Sequence, residues 1–249
     1  MDTVCVIPAR FNSTRFPGKL LALAGGKTVL QRTFENALLC QDLRAVFVAT
    51  DDERIAKHIE HLGGSVIWTS PECKNGTERT LEAVRKHAAL SHCECVLIVQ
   101  GDHPCTSPQT IASVVRALKS DPLAVMATAA TPLTNRNDFF SPHIVKCLFD
   151  QHGSALYFSR SPIPYSKNGM PKKAYQHIGI YALRREFLLS STDGPMTYLQ
   201  QEEDLEQLKI LEMGHRIKIA LIDDAAIGID TPEDLDKLKQ FLLLQLDHN

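Results

Sequence analysis

Short apolar runs alternating with helix-patterned segments constrain the fold of this chain more than any other feature. TVCVI (3–7) reads as a first strand, in an apolar run that stops at Pro8. Thr28 is placed to cap the helix TVLQRTFENALL, with Gln31 completing a capping box. RAVFVAT (44–50) is the second strand, followed by a helix that Asp51 caps. SVIWT (65–69) is the third strand and TERTLEAVRKHAAL (77–90) the helix after it. CVLIVQ (95–100) is the most uniformly apolar strand, and Ser107 with Pro108 opens another helix. Strands apolar on both faces, alternating with helices, predict an α/β fold with a mostly parallel central sheet covered on both sides.

After residue 130 the rhythm breaks. HIVKCLFD (143–150), SALYFS (154–159) and HIGIYAL (177–183) read as strands of a mixed or antiparallel arrangement. Between them, PIPYSKNGMPKK (162–173) has the Pro, Gly and Lys content of a mobile loop. QQEEDLEQLKILEMG (200–214) reads as one polar helix ending at Gly214, RIKIALI (216–222) as a returning strand, and DTPEDLDKLKQFLLLQL as a closing amphipathic helix. The expectation is one domain over 1–249, with a main part at 1–130 and 215–249 and a smaller mixed part at 131–214.

Composition narrows the partners. A net charge of −2 gives no global attraction to nucleic acid or to an anionic membrane, so any anion must be bound locally. Aromatic residues make up 6% of the chain and are not interleaved with basic runs, which argues against a nucleic-acid stacking surface. No apolar stretch reaches the length of a membrane span, and MDTVCVIP lacks the basic and apolar regions of a secretory signal. The seven cysteines are odd in number and scattered, as in a cytoplasmic protein with reduced thiols. His87, His92, Cys93 and Cys95 lie near one another, but the spacing is not CxxC and no second pair follows, which disfavours zinc.

In open parallel sheets, ligands bind beyond the carboxyl ends of the strands. Three polar clusters fall at such ends. The first, after the first strand, is VIPARFNSTRFPGK (6–19), which carries Arg10, Arg15 and Lys19 in a loop without GxGxxG or GxxxxGK[ST]. Three cations, with backbone amides around Asn12–Thr14, suit a triphosphate; a merely solvated basic loop is the competing reading. The second is Gln100-Gly101-Asp102, where Asp102 can hold Mg²⁺ against phosphates or simply bond its own turn. The third is GIDTPEDL, in which Thr231, Pro232 and Asp234 form a helix start and Asp230 is left over as a second carboxylate.

Together these motifs resemble the 3-deoxy-manno-octulosonate (KDO) cytidylyltransferases. VIPARFNSTRFPGK matches their IPAR-x-x-S-T-R-x-P-x-K signature, NGTER (75–79) their SGT[DE]R segment and QGDHP their QGDEP. ALYFSR (155–160), HIGIYAL, EDLEQLK (203–209) and GIDTPEDL match in kind and order, so the resemblance runs nearly end to end. It implies a nucleotide-diphospho-sugar transferase-type, Rossmann-like three-layer sandwich with a smaller mixed subdomain for sugar binding and dimerisation. It further implies a cytoplasmic homodimer that uses CTP, KDO and Mg²⁺ to make CMP-KDO for lipopolysaccharide synthesis, with no nucleic-acid partner and no membrane insertion.

Carried over by motif, Pro8, Arg10, Ser13, Arg15, Lys19, Asn75, Gly76, Thr77, Arg79 and Gln100 would bind CTP. Lys19, Asp102 and Asp230 would be catalytic, the two aspartates as metal ligands. The KDO carboxylate would fall to Arg160 and its hydroxyls to His177, Tyr181, Glu203 and Gln207. Read without the resemblance, Tyr181 is equally a core residue with a satisfied hydroxyl, and Glu203 and Gln207 are a polar flank of one helix. Two positions depart from the family pattern: His103 stands where glutamate is common, and Gln200 where an acid is often found. Cytidylyl transfer to another 2-keto sugar acid (8-amino-KDO or a nonulosonate) and a silent CTP-binding homologue therefore stay open as alternatives.

Overall fold

The structure is a computed structural model that describes residues 1–191, 194–223 and 227–246. Strands β1 (Thr3–Ala9), β2 (Leu23–Ala24), β3 (Lys27–Thr28), β4 (Ala45–Thr50), β5 (Ser65–Trp68) and β6 (Cys95–Val99) occupy the first half, with helices α1 (Val29–Leu38), α2 (Glu53–His61) and α3 (Gly76–Lys86) between them. Helix α4 (Pro108–Ser120) follows. Strands β7 (Ala124–Pro132), β8 (Lys146–Phe149), β9 (Ala155–Ser159), β10 (Tyr175–Arg184) and β11 (Arg216–Leu221) then alternate irregularly with α5 (Arg136–Phe140), α6 (Arg185–Ser191), α7 (Tyr198–Glu203) and α8 (Glu206–Glu212), before α9 (Pro232–Leu246). The α/β class is as expected.

Two compact units emerge, one of residues 2–111 with 225–249 and the other chiefly of residues 112–224. The division falls earlier than residue 130, so β7 and β11 cluster with the second unit. Their hydrogen bonding explains it, because β7 runs parallel to β11 and antiparallel to β10.

In the first unit β6, β1, β4 and β5 lie side by side and all parallel. The chain steps from β1 to β4 and β5, then returns to β6 on the other flank of β1. That reversal puts a topological switch point at the carboxyl ends of β1 and β6, where such sheets bind ligands. The sheet is dry: Val4 to Ile7 and Cys95 to Val99 are each fully buried.

The first strand does not stop at Pro8, since Pro8 and Ala9 pair with Ala49 and Thr50 of β4. The carbonyl of Asp2 accepts from Cys95 and that of Thr3 from Arg44, so even-numbered residues face β6. Pairing with β6 ends at Val6, and the N–H that Pro8 lacks would face a position with no ladder partner there. Three further boundaries differ. Asp52, not Asp51, caps α2 by accepting from Arg54 N–H at 2.9 Å. Thr28 caps α1, but the Gln31 amide donates to Glu35 Oε1 instead of closing the box. The helix expected over 77–90 ends at Lys86 and gives way to a 3-10 turn at Ala88–Leu90.

In the second unit β8 and β9 form a hairpin whose turn is tied by Asp150 Oδ1, accepting from His152 and Ser154 N–H at 2.8 Å each. Residues 162–173 contain no strand or helix. The single helix expected over 200–214 is two, broken at Asp204, whose φ of 52° is left-handed. Glu203 ends α7 and Gln207 lies in α8, so they do not share one helical face.

Candidate active site

The charged cluster of the first unit is built at strand ends. The loop after β1 closes on itself where Gly18 N–H donates to Phe11 O at 3.0 Å; Gly18 has φ 73°, and a Cβ there would lie 3.0 Å from the Phe11 ring. The Arg54 guanidinium stacks on Phe11 at 3.3 Å. The closure presents residues 12–17, leaving Arg10 and Arg15 exposed and Ser13 half-buried. Lys19, in the short 3-10 turn that follows, points back into the site.

Lys19 Nζ donates to Asp102 Oδ2 at 2.5 Å, to Ile229 O at 2.7 Å and to Asp230 Oδ1 at 2.9 Å. Arg15 Nη2 lies 3.1 Å from the other Asp230 oxygen, Oδ2. Carboxylates from the end of β6 and from the start of α9 therefore converge on one cation. Asp230 is left outside the helix cap as its sequence suggested: Thr231 and Asp234 bond each other, with Asp234 Oδ2 accepting from Thr231 N–H at 3.1 Å. Burial works to raise the Asp102 carboxyl, but the neighbouring His103 ring and the Lys19 ammonium hold it below its usual 3.8. Burial likewise opposes the Lys19 charge, and Asp102 foremost keeps the ammonium above 10.5.

Of the residues assigned to cytidine, Gly76, Pro8 and Gln100 pack together. Asn75 caps α3 by accepting from Glu78 N–H at 2.8 Å. At Gly76 a Cβ would meet the Gln100 amide at 2.9 Å and Pro8 Cγ at 3.0 Å, so only glycine lets these three residues close up. Thr77 follows in the first turn. The Arg79 side chain is only 3% exposed, and Nη1 donates to Thr69 Oγ1 at 2.6 Å and lies 3.0 Å from Asp51 Oδ1. It ties α3 to the ends of β4 and β5.

The sugar-assigned residues of the second unit fall into two hydrogen-bonded sets, one around Glu203 and one around His177, with the Tyr181 ring beside the second. Glu203 accepts from Ser159 Oγ at 2.5 Å, Arg160 N–H at 2.8 Å and Tyr157 OH at 3.4 Å. The Arg160 guanidinium donates to the carbonyls of Glu203, Pro142 and Asp204 at 2.8, 3.2 and 3.3 Å, so it holds the break after α7. His177 Nε2 meets Thr128 Oγ1 at 2.8 Å, and Gln207 Nε2 lies 3.5 Å from His177 Nδ1. The Tyr181 ring lies 5.8 Å from that of His177, and burial pushes its hydroxyl up. Gln200 accepts from Thr197 N–H, a capping role that an acid at that position would fill as well.

Sequence reasoning missed Lys146, which is wholly buried although charged. Its Nζ donates to the carbonyls of Arg160, Ile144 and Ser141 at 2.5, 2.6 and 2.9 Å, and burial foremost lowers its pKa. The signal was present as a lysine inside the apolar run HIVKCLFD. Thr128, Tyr157 and Ser159 were missed because a hydroxyl in a strand carries no pattern of its own. His103 Nε2 stands 3.8 Å from Asp102 Oδ1. Among the described residues no group of three or more His, Cys, Asp or Glu side chains forms a metal cage. The histidine–cysteine cluster disperses: His87 packs its ring on Phe47, and Cys93 Sγ donates to Leu90 O.

Comparison with known proteins gives the family of the chain. Residues 4–217 match the cytidylyltransferase family model. The 3-deoxy-manno-octulosonate cytidylyltransferase of Protochlamydia amoebophila is 46% identical over 243 residues, covering 96% of this chain and 94% of its own. That of Zea mays is 46% identical over 242 residues, covering 96% and 80%. A solved CMP:2-keto-3-deoxy-manno-octonic acid synthetase complexed with CTP superposes with a TM-score of 0.91 at 33% identity, covering 98% of this chain and all of the other. The chain belongs to the 3-deoxy-manno-octulosonate cytidylyltransferase family.

Proposed function

We propose that the protein transfers the CMP moiety of CTP to KDO, giving CMP-KDO and pyrophosphate. The convergence of Lys19, Asp102 and Asp230 beside the exposed Arg15 carries this reading, because it is charge chemistry for a polyphosphate and not ordinary core structure. The anomeric hydroxyl of KDO attacks the α-phosphorus, an O–P bond forms, the bond to the β-phosphate bridging oxygen breaks, and the hydroxyl proton leaves to solvent. Arg10 and Arg15 hold the triphosphate and offset the charge that builds on the leaving pyrophosphate. Gly76, Pro8 and Gln100 fit the base, whose polar edge the Gln100 amide can bond.

A magnesium ion fits the donor set: two carboxylates already aim at one cation, and Mg²⁺ takes one or two carboxylates plus phosphate oxygens and water. Bound by Asp102 and Asp230, it supplies neutralisation of phosphate charge and a lowered pKa for the attacking hydroxyl. In the second unit the Glu203 lattice, His177, Tyr181 and Gln207 line the sugar side, and the guanidinium edge that Arg160 leaves free meets the KDO carboxylate. The resemblance also supports a homodimer, a cytoplasmic location and a product destined for lipopolysaccharide. The seven free thiols fit that location, and no described helix is long and apolar enough to cross a membrane.

Pyrophosphate release from CTP with a panel of 2-keto sugar acids tests the assignment. Turnover is expected with KDO. Turnover confined to 8-amino-KDO or a nonulosonate reassigns the sugar, and CTP binding without turnover on any acid makes the protein a silent homologue.

A further inference from the structure

Lys19 is saturated. An ammonium has three N–H donors, and all three are spent, on Asp102 Oδ2, Ile229 O and Asp230 Oδ1. Its side chain is only 12% exposed, so in this state it has nothing to offer a phosphate. Around Nζ stand two carboxylates and a main-chain carbonyl, an all-oxygen set of the kind a hard divalent cation takes. Arg15 covers the remaining Asp230 oxygen. Two cations on two anions leave this cluster electrically balanced.

We infer that the Lys19 ammonium is a built-in stand-in for the divalent cation. It holds Asp102 and Asp230 together in the free protein and gives up their oxygens when metal and triphosphate arrive as one complex. The inference rests on the magnesium assignment above. Without a counter-cation, two carboxylates converging at one partly buried point would repel each other. A divalent ion arriving alone must displace the ammonium and leaves an uncompensated double positive charge. A metal–triphosphate complex brings its own negative charge and gives the displaced ammonium a phosphate to bond. A lysine suits this exchange, since its point charge swings on a flexible four-carbon stem where an arginine fork is rigid. Metal and CTP affinities are therefore coupled, and the coupling is reciprocal.

Mn²⁺ binding, read by electron paramagnetic resonance as protein-bound ion with and without CTP, tests this in the wild type, Lys19→Met, Lys19→Arg and Asp102→Asn. Without CTP, Lys19→Met is expected to bind Mn²⁺ roughly tenfold or more tighter than the wild type, the scale set by removing one adjacent cation from a carboxylate. Lys19→Arg keeps the charge and is expected to gain little. Equal or weaker binding by a folded Lys19→Met overturns the stand-in, as does an equal gain in Lys19→Arg. A wild type whose Mn²⁺ affinity is the same with and without CTP overturns it with no variant needed. Unchanged Mn²⁺ affinity of Asp102→Asn in the presence of CTP has a different meaning: the metal assignment itself has failed.

Discussion

The two units treat their polar side chains in opposite ways. At the strand ends of the first, charges face one another across short gaps and stay partly open to water: Arg15 is 62% and Asp230 49% exposed. In the second, Glu203 spends both oxygens on Ser159, Tyr157 and Arg160, and Arg160 gives three of its five guanidinium N–H donors to carbonyls. His177 and Gln207 are buried against Thr128 and each other. One region holds charges that are partly open to water, and the other a set of buried or half-buried groups bonded to one another; under the proposed function the first would meet the triphosphate and the second the sugar. That division suits the reaction, since phosphoryl transfer needs mobile charge neutralisation and recognition of a polyhydroxy acid needs fixed donors and acceptors.

Substitutions in each region sharpen the contrast. Asp230→Asn is expected to lower kcat by about a hundredfold or more, the scale of losing one group that stabilises transition-state charge, with an unchanged melting curve. A large fall in Tm would place Asp230 with the frame instead. Arg79→Met leaves Asp51 without its cation. Because Arg79 is buried and Asp51 nearly so, a loss of about 3 kcal/mol in denaturant-measured stability is expected. Loss of CTP affinity at unchanged stability would return Arg79 to the ligand site. Glu203→Gln keeps the shape but weakens three charge-assisted bonds, for an expected cost of about 2 kcal/mol in stability and a raised KM for KDO with a smaller change in kcat. A change in kcat alone would make Glu203 a charge of the first kind.

Acid titration gives the smallest effect. The native pKa of Asp102 is held below 3.8, so its contribution to stability is present above that value and lost as pH falls through the native pKa. Asp102→Asn should flatten that acid limb in a pH series of unfolding midpoints, and an unchanged limb would assign it to other carboxylates.

The difference between the units also sets how much of each is legible in the sequence. Strand-end chemistry is local: Arg10, Arg15, Lys19, Asp102 and Asp230 stand in short punctuated loops where a charge has few structural uses. That Lys19 serves the aspartates was hidden, because the bonds span Lys19 to Asp102 and Lys19 to Asp230, far apart in the chain. In the second unit the bonds on Thr128 and on Ser159 span 44 to 50 residues, so those hydroxyls carried no spacing signal, whereas Lys146 was marked only by its place in an apolar run. The break went unread because just two residues, left-handed Asp204 and extended Leu205, separate α7 from α8, and no glycine or proline marks it. Pro8 misled for a related reason. A proline ends a strand only where its N–H would have been paired, which depends on how far β6 runs.

The most direct test compares pyrophosphate release from CTP plus KDO by the wild type and by Asp102→Asn, at saturating Mg²⁺ and with circular dichroism confirming the same fold. Release by the wild type, abolished in the variant, is the result expected of a site built on converging Asp102 and Asp230. Near-normal release by Asp102→Asn, or none by the wild type, would contradict it.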